Sequence, residues 1–475
     1  MPRRGYHQRK NSRIFRIFAV CAAVLCGLYY LFAAYLASRD INAQKILDQS
    51  ELKAKNFSTP VTEVISPRKK IKAYLFEDKT NPIISMDFIF SSAGRAADAE
   101  DEQGIANMAA SLLTDGAGAL NRHEFKDELE DKAITISFSV DKNDFSGALL
   151  TTANHRQRAF ELLRSALTSP RFAEEDISRV KEQMLMALKR QNEQPESVLS
   201  LVAAKNLYGA HPYGRNPVGE AGSIKGINAE KLRHLVKNRL NRSNLIVGIA
   251  GDISEEEAGA MLDYVFGDLP ESGRVAFVRE AKVDFSGQEN QIEADLPQTV
   301  AMFANQGLKR SDPDFYPLYA ANQIFGGSGL SSRLSLAARE KEGLTYSIYS
   351  YLDVTEKAPM IKGGFSATPE NFPRVAEIVR EQWQKMGQAG VTAAELEEAK
   401  NYLLASYNLR FASLGGISAM LAHMQKENLG IDFLQKRNDY IRNIKIEDVN
   451  KAAKKYFDNR NLRFEIIGRP VGSEE

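Results

Sequence analysis

The 475-residue chain contains only two cysteines, Cys21 and Cys26, and both lie inside one uncharged apolar run. The rest of the chain therefore has no thiol for a disulfide bond, a cysteine-ligated zinc ion or a cysteine nucleophile. Histidine is also scarce. The six histidines are His7, His123, His155, His211, His234 and His423. No two of them lie within one helical turn, so the sequence contains no self-contained histidine motif for a metal ion.

An excess of charge of either sign is missing as well. The chain carries 62 Lys and Arg against 61 Asp and Glu, and six of the basic residues fall within positions 1–16, which contain no acid. Without those six, 56 basic residues face 61 acidic ones, a formal charge of −5. The body after this segment lacks the excess of basic residues that nucleic acid requires, so we expect no nucleic-acid partner.

One long hydrophobic run, IFAVCAAVLCGLYYLFAAYLA at 17–37, follows the basic segment and carries no charge. Its length matches the roughly 20 residues that cross a bilayer as a helix. A cleaved signal peptide is the alternative, but cleavage after Ala37 would place Tyr35 where a small residue is required. We expect an uncleaved, single-pass anchor in a bacterial inner membrane, a spacer over 38–56 and a periplasmic body, since positive charge stays cytoplasmic.

The body shows alternating strand and helix patterns. The stretch IKAYLFEDKTNPIISMDFIFSSAG, 71–94, has two apolar alternating runs broken by Asn-Pro, which predicts a β-hairpin. Further elements are predicted as a helix over 103–114, two strands over 134–153, helices over 155–168 and 173–192, and a buried strand over 244–252 ahead of another helix.

The same order of segments recurs later in the chain. RAFELLRSAL from Arg158 is echoed by RVAEIVREQW from Arg374, and NLIVGIAG from Asn244 is echoed by NLRFEIIG from Asn461, at offsets of 216 and 217 residues. This constant offset predicts two tandem copies of one α+β domain. We place the copies at 57–270 and 291–470, joined by a linker over 271–290, and expect a clamshell with substrate space between similar lobes.

The stretch GIANMAASLLTDG, 104–116, predicts a short amphipathic helix, and the face beside its apolar stripe carries Asn107, Ala110 and Ser111. This helix after a strand pair, the duplication, and the late segment SSRLSLAAREKEGLTYSIYS at 331–350 together resemble the pitrilysin and insulinase family of zinc peptidases. The resemblance covers about residues 57–470.

In active members of that family the early helix carries the motif H-x-x-E-H. The resemblance places Asn107 and Ser111 on its two histidines and Ala110 on its glutamate. The third ligand, a glutamate in a later helix, falls within 186–188 of QMLMALKR, at about Ala187. None of these residues binds zinc, so the resemblance implies a non-catalytic member with no zinc of its own.

The late segment keeps another family feature. Active members use an arginine and a tyrosine seven positions apart to hold the substrate backbone and to support the developing oxyanion, and Arg339 and Tyr346 have that spacing. A surface arginine and a half-buried strand tyrosine are the alternative interpretation.

The glycine-rich stretch FGGSGLSSRL, 325–334, contains Gly326, Gly327 and Gly329. It lacks the Gly-Lys-Ser/Thr ending of a nucleotide-binding loop. It is similar to the loop with which the inactive subunit of a related processing peptidase meets substrate, although a simple helix connection is equally consistent. His211, in GAHPYGRNP, is expected to be structural.

The resemblance therefore implies a non-catalytic subunit that pairs with a zinc-bearing homologue to cleave unfolded peptides, with Arg339 and Tyr346 binding substrate and zinc present only in the partner. A structural or chaperone-like scaffold of a membrane complex is one alternative. A self-sufficient zinc peptidase with ligands from distant positions is another. A serine hydrolase is not expected, since the chain lacks a Gly-x-Ser-x-Gly motif.

Overall fold

A computed structural model of the chain describes residues 60–285, 289–327, 329–458 and 462–469, all within one unit, Asn56–Glu475. The expected membrane anchor over 17–37 and the spacer over 38–56 lie outside the described residues. Within the described ranges, no helix combines the length and apolarity needed to cross a membrane.

The first lobe is built on a mixed sheet with the strand order β1-β2-β6-β3-β5-β4. Its strands are β1 Thr62–Ile65, β2 Lys72–Glu77, β3 Ile83–Phe90, β4 Thr135–Val140, β5 Phe145–Thr152 and β6 Leu245–Gly251. Its helices are α1 Ile105–Leu112, α2 Arg122–Asp131, α3 Arg156–Thr168, α4 Glu174–Asn192, α5 Pro195–Tyr208, α6 Ala221–Gly226, α7 Ala229–Arg239 and α8 Glu255–Phe266.

The second lobe has a mixed sheet with the order β7-β11-β8-β10-β9. Its strands are β7 Glu289–Glu293, β8 Thr299–Gln306, β9 Ser347–Asp353, β10 Met360–Ala367 and β11 Arg463–Gly468. Its helices are α9 Phe315–Gly326, α10 Phe372–Ala389, α11 Ala393–Tyr407, α12 Leu414–Lys426, α13 Phe433–Arg442 and α14 Ile446–Tyr456.

The two strands predicted as a hairpin do not pair with each other, so that prediction was wrong. β6 lies between them, parallel to β2 and antiparallel to β3, and Val247 of β6 faces both Ala73 and Phe88. β6 is the apolar segment LIVGIAG and is mostly buried, as expected of a strand at the centre of a sheet covered on both faces. The Asn-Pro dipeptide marks a reversal of the chain, but it does not determine whether the strands on its two sides pair with each other.

The strand order recurs between the two sheets, because β7-β11-β8-β10-β9 of the second corresponds to β2-β6-β3-β5-β4 of the first. One contact recurs in both lobes. Phe88 faces Gly147 and Phe303 faces Gly363 across neighbouring strands. A Cβ on either glycine would lie 2.2 or 2.0 Å from the phenyl ring, so in both sheets the ring lies over a position that only glycine can fill.

Each lobe contributes one helix that packs on the sheet of the other lobe, and we call these two the exchanged helices. α5 of the first lobe packs on β8 and β11 of the second sheet, and α12 of the second lobe packs on β2, β3 and β6 of the first. At Gly248 the approach is so close that a Cβ would lie 2.2 Å from the carbonyl oxygen of Ser418. Lys426 Nζ also lies 2.6 Å from Asp144 Oδ1 across the junction, with both side chains largely buried. These contacts fasten the lobes together.

Candidate functional site

The helix expected to carry the degenerate metal site is α1. The apolar side chains on one face of α1 hold this helix against the first sheet. Ile105, Met108 and Leu112 are buried against the first sheet. The preceding Gly104 has a φ of 94°, a conformation that glycine adopts readily, and a Cβ there would lie 2.6 Å from the carbonyl oxygen of Val218. The start of α1 is therefore fixed against the loop before α6.

The polar groups on the other face of α1 bond to the protein itself. The half-buried Asn107 donates from Nδ2 to the carbonyl oxygen of Pro217 at 2.5 Å. Exposed Ser111 donates from Oγ to the carbonyl oxygen of Asn107 at 3.1 Å. Ala110 is buried beside them. Ala187 lies half-buried on α4, which packs against α1, so all four positions lie on one pair of contacting helices.

These residues do not fit a zinc ion. Zinc in proteins is bound by thiolate, imidazole or carboxylate groups, whereas the four positions supply one amide, one hydroxyl and two methyl groups. In the ranges that the structure describes, no group of three or more His, Cys, Asp or Glu is placed to hold a metal ion. The helix pair therefore offers a scaffold for a metal site without the donor atoms.

A glycine turn connects Arg339 and Tyr346. Arg339 lies in the π-helical segment Ser335–Lys341, and Tyr346 directly precedes the edge strand β9. Gly343, with a φ of 65°, donates its N–H to the carbonyl oxygen of Arg339 at 3.1 Å. Leu344 donates to the carbonyl oxygen of Ala338 at 2.9 Å. The turn returns the chain so that β9 packs against the helical segment.

Both side chains of the pair are accessible to solvent. The side chain of Arg339 is 41% exposed and lies 3.6 Å from Glu340 Oε1. Tyr346 is 88% exposed, more than a half-buried strand tyrosine would be. Sequence reasoning missed that Tyr349 and Tyr351 of β9 are also exposed, with stacked rings 6.3 Å apart. The alternation of tyrosine in YSIYSY is the signal that could have found this strip.

The three candidate glycines have local structural roles. A Cβ on Gly326 would lie 2.6 Å from Ser350 Oγ of β9, and one on Gly327 would lie 2.4 Å from Gln323 Oε1. Gly329 has open space around it but a φ of 112°, which favours glycine. These local constraints are enough to explain why the loop is rich in glycine. The contact of the loop with a peptide stays a prediction.

The end of the glycine-rich loop is anchored by an ion pair. Arg333 donates from Nε and Nη2 to the two carboxylate oxygens of Glu395 at 2.7 and 2.9 Å, and from Nη2 to the carbonyl oxygen of Gly390 at 2.9 Å. The hydrogen bonds from Arg333 lower the pKa of Glu395 to about 2. A charge-assisted bidentate pair of this kind fixes the position of the loop end relative to α11.

His211 has the structural role expected for it. Its Nδ1 accepts from the N–H of Tyr213 at 3.2 Å, so Nε2 is the donor to the carbonyl oxygen of Arg279 at 3.0 Å. These bonds tie the turn Pro212–Gly214 to the segment between the lobes.

The two described lobes have an α+β fold, and the helix positions that the resemblance assigns to the metal site of a peptidase carry no zinc donor. A family profile described as the peptidase M16 inactive domain matches residues 226–403. The non-peptidase homologue YmxG of Helicobacter pylori is 24% identical over 391 residues, which cover 82% of this chain and 90% of that protein.

Solved structures agree with this match. The crystal structure of a peptidase M16 inactive domain from Pseudomonas fluorescens has a TM-score of 0.81 and 25% identity, covering 87% of this chain and 99% of that one. The periplasmic protease PqqL of Escherichia coli shares the fold, with a TM-score of 0.73 and 16% identity over 87% of this chain and 46% of PqqL. These matches confirm the resemblance to an inactive homologue of the insulinase-type M16 peptidases.

Proposed function

We propose that the chain is the non-catalytic subunit of a two-subunit peptidase, paired with a homologue that binds zinc through H-x-x-E-H. One observation carries the proposal. The positions that the resemblance assigns to metal ligands, Asn107, Ser111 and Ala187, carry no zinc donor, whereas Arg339 and Tyr346 keep the family spacing and are exposed on the second lobe.

The two subunits divide the chemistry in this proposal. Zinc in the partner activates a water molecule. Arg339 supplies fixed N–H donors to the substrate carbonyl and to the oxyanion that develops from it, and the Tyr346 phenol supplies another donor. The substrate is an unfolded peptide, whose extended backbone exposes the carbonyl groups that these donors recognise. The glycine-rich loop, with Gly327 and Gly329, lets this backbone approach.

The substrate space lies between the two subunits. Within this chain the exchanged helices α5 and α12 hold the lobes in contact and leave a cavity of about 230 Å³ and a groove of about 840 Å³. In this proposal a pair of chains encloses the peptide. We place the body in the periplasm, attached to the inner membrane through 17–37, and the fold shared with a periplasmic protease supports that location.

Purification of the full-length chain from its native membrane tests the pairing. We expect mass spectrometry to identify a co-purifying homologue with H-x-x-E-H, and we expect the pair to cleave an unfolded peptide in a chelator-sensitive way. In the reconstituted pair, Arg339→Ala should lower kcat about 100-fold, as loss of an oxyanion donor does, with the zinc content unchanged. Lys341→Ala, an exposed basic position in the same segment, is the matched control.

Three results would count against the proposal. Full turnover by the Arg339→Ala pair would remove the substrate-binding role and favour the scaffold alternative. Recovery of the chain only within a membrane complex that contains no peptidase would also favour the scaffold. Chelator-sensitive cleavage by the chain alone would instead show a self-sufficient enzyme.

A further inference from the structure

The two helix–sheet contacts that join the lobes are not equivalent. In the first sheet, Gly248 pairs with Asp87 and lets the backbone of α12 touch the strand. In the second sheet the corresponding position is Glu465, which pairs with Met302. Its buried carboxylate accepts from Asn206 Nδ2 of α5 at 2.9 Å. A cavity of about 230 Å³ lies between α5 and this sheet.

Cationic side chains from both lobes line this interlobe cavity. Arg95, Lys142 and Arg215 come from the first lobe, and Lys362 and Arg463 come from the second. Among the described lining residues, Glu465 is the one carboxylate. The cavity therefore has an excess of positive charge in a partly desolvated place, where the interaction of a charge with its neighbours is stronger than in water.

The two cations of the second lobe are neutralised by neighbours. Lys362 Nζ lies 2.7 Å from Asp353 Oδ2. Arg463 donates from Nε to Glu465 Oε1 at 2.8 Å and lies 3.1 Å from Asp284 Oδ2. These pairs leave the excess charge on the first-lobe side of the cavity.

Two of the first-lobe cations, Lys142 and Arg95, lack such partners, whereas Arg215 donates from Nη1 to the carbonyl oxygen of Asp98 at 2.7 Å. The ammonium of Lys142 has no ion pair or hydrogen bond within the described part of the chain, and its Nζ lies 5.3 and 5.4 Å from the ring centroids of Tyr208 and Tyr213. Asp353 and Asp141 attract this ammonium from beyond ion-pair distance. The guanidinium of Arg95 likewise has no hydrogen-bond acceptor among the described residues, and Asp141 and Asp98 attract it from beyond ion-pair distance. Burial lowers the pKa of Lys142 to about 8, and the nearby Lys362 adds to this effect.

Tyr208 provides an independent observation. It lines the same cavity, is 4% exposed, and its hydroxyl is buried without a hydrogen-bond partner among the described residues. Burial raises the pKa of this phenol, so the hydroxyl remains a protonated donor. Because a buried polar group without a partner is costly, native proteins normally supply one, from the protein, water or a ligand.

We propose that the interlobe cavity binds a small oxyanion of the phosphate or carboxylate class, which accepts from the Tyr208 hydroxyl and is held by Lys142 and Arg95. The volume suits a small anion and excludes a folded partner. An ammonium, a guanidinium and a phenol hydroxyl are all hydrogen-bond donors, and a small anion with several oxygen atoms can accept from all three. The site lies within one chain, so it does not depend on the proposed pairing of subunits.

Calorimetric titration of the full-length chain with inorganic phosphate, and separately with succinate, tests the site at constant ionic strength. We expect saturable binding of one equivalent of at least one anion. Lys142→Gln should weaken that binding about tenfold to 100-fold, because it removes a charged donor. Tyr208→Phe should weaken it about tenfold or less, since it removes one neutral donor. Lys385→Gln and Tyr402→Phe, at exposed positions on α10 and α11, should bind as the native chain does.

The two anions distinguish the possible sources of the ligand. Tighter binding of phosphate indicates a phosphate group, and tighter binding of succinate indicates a carboxylate. The absence of saturable binding by both anions would overturn the proposal, as would native affinity in Lys142→Gln and Tyr208→Phe together. Circular dichroism verifies folding of each variant, and Lys142→Met provides a second test if the glutamine variant fails to fold.

Discussion

The Asn107 side-chain amide donates a 2.5 Å hydrogen bond to the main-chain carbonyl of Pro217. The resemblance places a zinc-binding histidine at this position in active relatives. Here the side chain instead joins α1 to the loop that precedes α6, so the position has a structural use. The backbone of the helix pair still brings residues 107, 111 and 187 onto contacting helices.

Restoring the donors should therefore restore a metal site. The variant that combines Asn107→His, Ala110→Glu, Ser111→His and Ala187→Glu should bind one zinc ion, because 107 and 111 lie one turn apart and Ala187 lies on the packed helix. Loss of the bond to Pro217 should cost about 1 kcal/mol of stability. Elemental analysis after dialysis measures the zinc, and urea unfolding measures the stability.

The same variant with the native Ala187 is the control, and it should bind zinc more weakly because one ligand is missing. A folded four-site variant that retains no zinc would show that the third ligand position is misplaced. Stoichiometric zinc in the native chain would contradict the loss of the site itself.

Gly248 should be indispensable for the junction of the lobes. A Cβ there would lie 2.2 Å from the carbonyl oxygen of Ser418 and 2.6 Å from the N of Ala422, both in the backbone of α12. Because a helix backbone cannot yield as a flexible side chain can, Gly248→Ala should cost about 3 kcal/mol in urea unfolding. Hydrogen exchange should also rise in α12.

Gly222→Ala is the matched control for this substitution. Gly222 lies in α6 with no other atom within 4 Å of a Cβ placed there. This change should be neutral or stabilise by up to about 1 kcal/mol, as alanine does in an exposed helix. Equal stability of the two alanine variants would contradict the close packing of α12 on β6.

The Arg333–Glu395 pair predicts a loss of stability in acid. The pKa of Glu395 is lowered to about 2 in the folded chain by the hydrogen bonds from Arg333, against about 4.3 in an unfolded chain. The unfolded state therefore binds more protons between these values, and the stabilisation present above pH 4.3 is lost as the pH falls towards 2.

Glu395→Gln should accordingly be less stable than the native chain by about 1–2 kcal/mol at pH 7, and the difference should vanish near pH 2. Urea unfolding at several pH values measures both quantities. Glu397→Gln, at an exposed position of the same helix, is the control. A difference that persists at pH 2 would assign the effect to packing and not to charge.

Much of the local structure could be predicted because it follows from periodicity and from the repeat. The helices predicted over 155–168 and 173–192 are Arg156–Thr168 and Glu174–Asn192, and the strand predicted over 244–252 is Leu245–Gly251. The insertion of β6 between β2 and β3 was missed because local patterns do not report pairings between distant segments. The exchange of α5 and α12 was missed for the same reason.

Part of the candidate sites could likewise be predicted from the sequence, and part could not. Asn107, Ala110 and Ser111 could be placed by their spacing within one helix. The interlobe cavity could not, because Lys142 and Lys362 reach it from different lobes and no local pattern joins them.

Lys142 gives a second prediction of pH-dependent stability, this time in the alkaline range. Its pKa is lowered to about 8 by burial and by Lys362, against about 10.4 in an unfolded chain. At pH 7 both states are protonated and the folded chain carries the full cost of the buried ammonium. Between about pH 8 and 10.4 the unfolded state binds more protons, so the stability of the native chain should rise with pH in this window.

Lys142→Met should therefore be more stable than the native chain at pH 7, by about 1–3 kcal/mol, and this advantage should shrink towards pH 10.4. Urea unfolding at pH 7, 8.5 and 10 measures the trend, with Lys385→Met as the exposed control. Saturating phosphate or succinate, if bound at the interlobe cavity, should stabilise the native chain and not Lys142→Met, because ligand that binds only the folded state adds to its stability. A Lys142→Met variant that is less stable at pH 7 would show that the ammonium is already compensated within the chain.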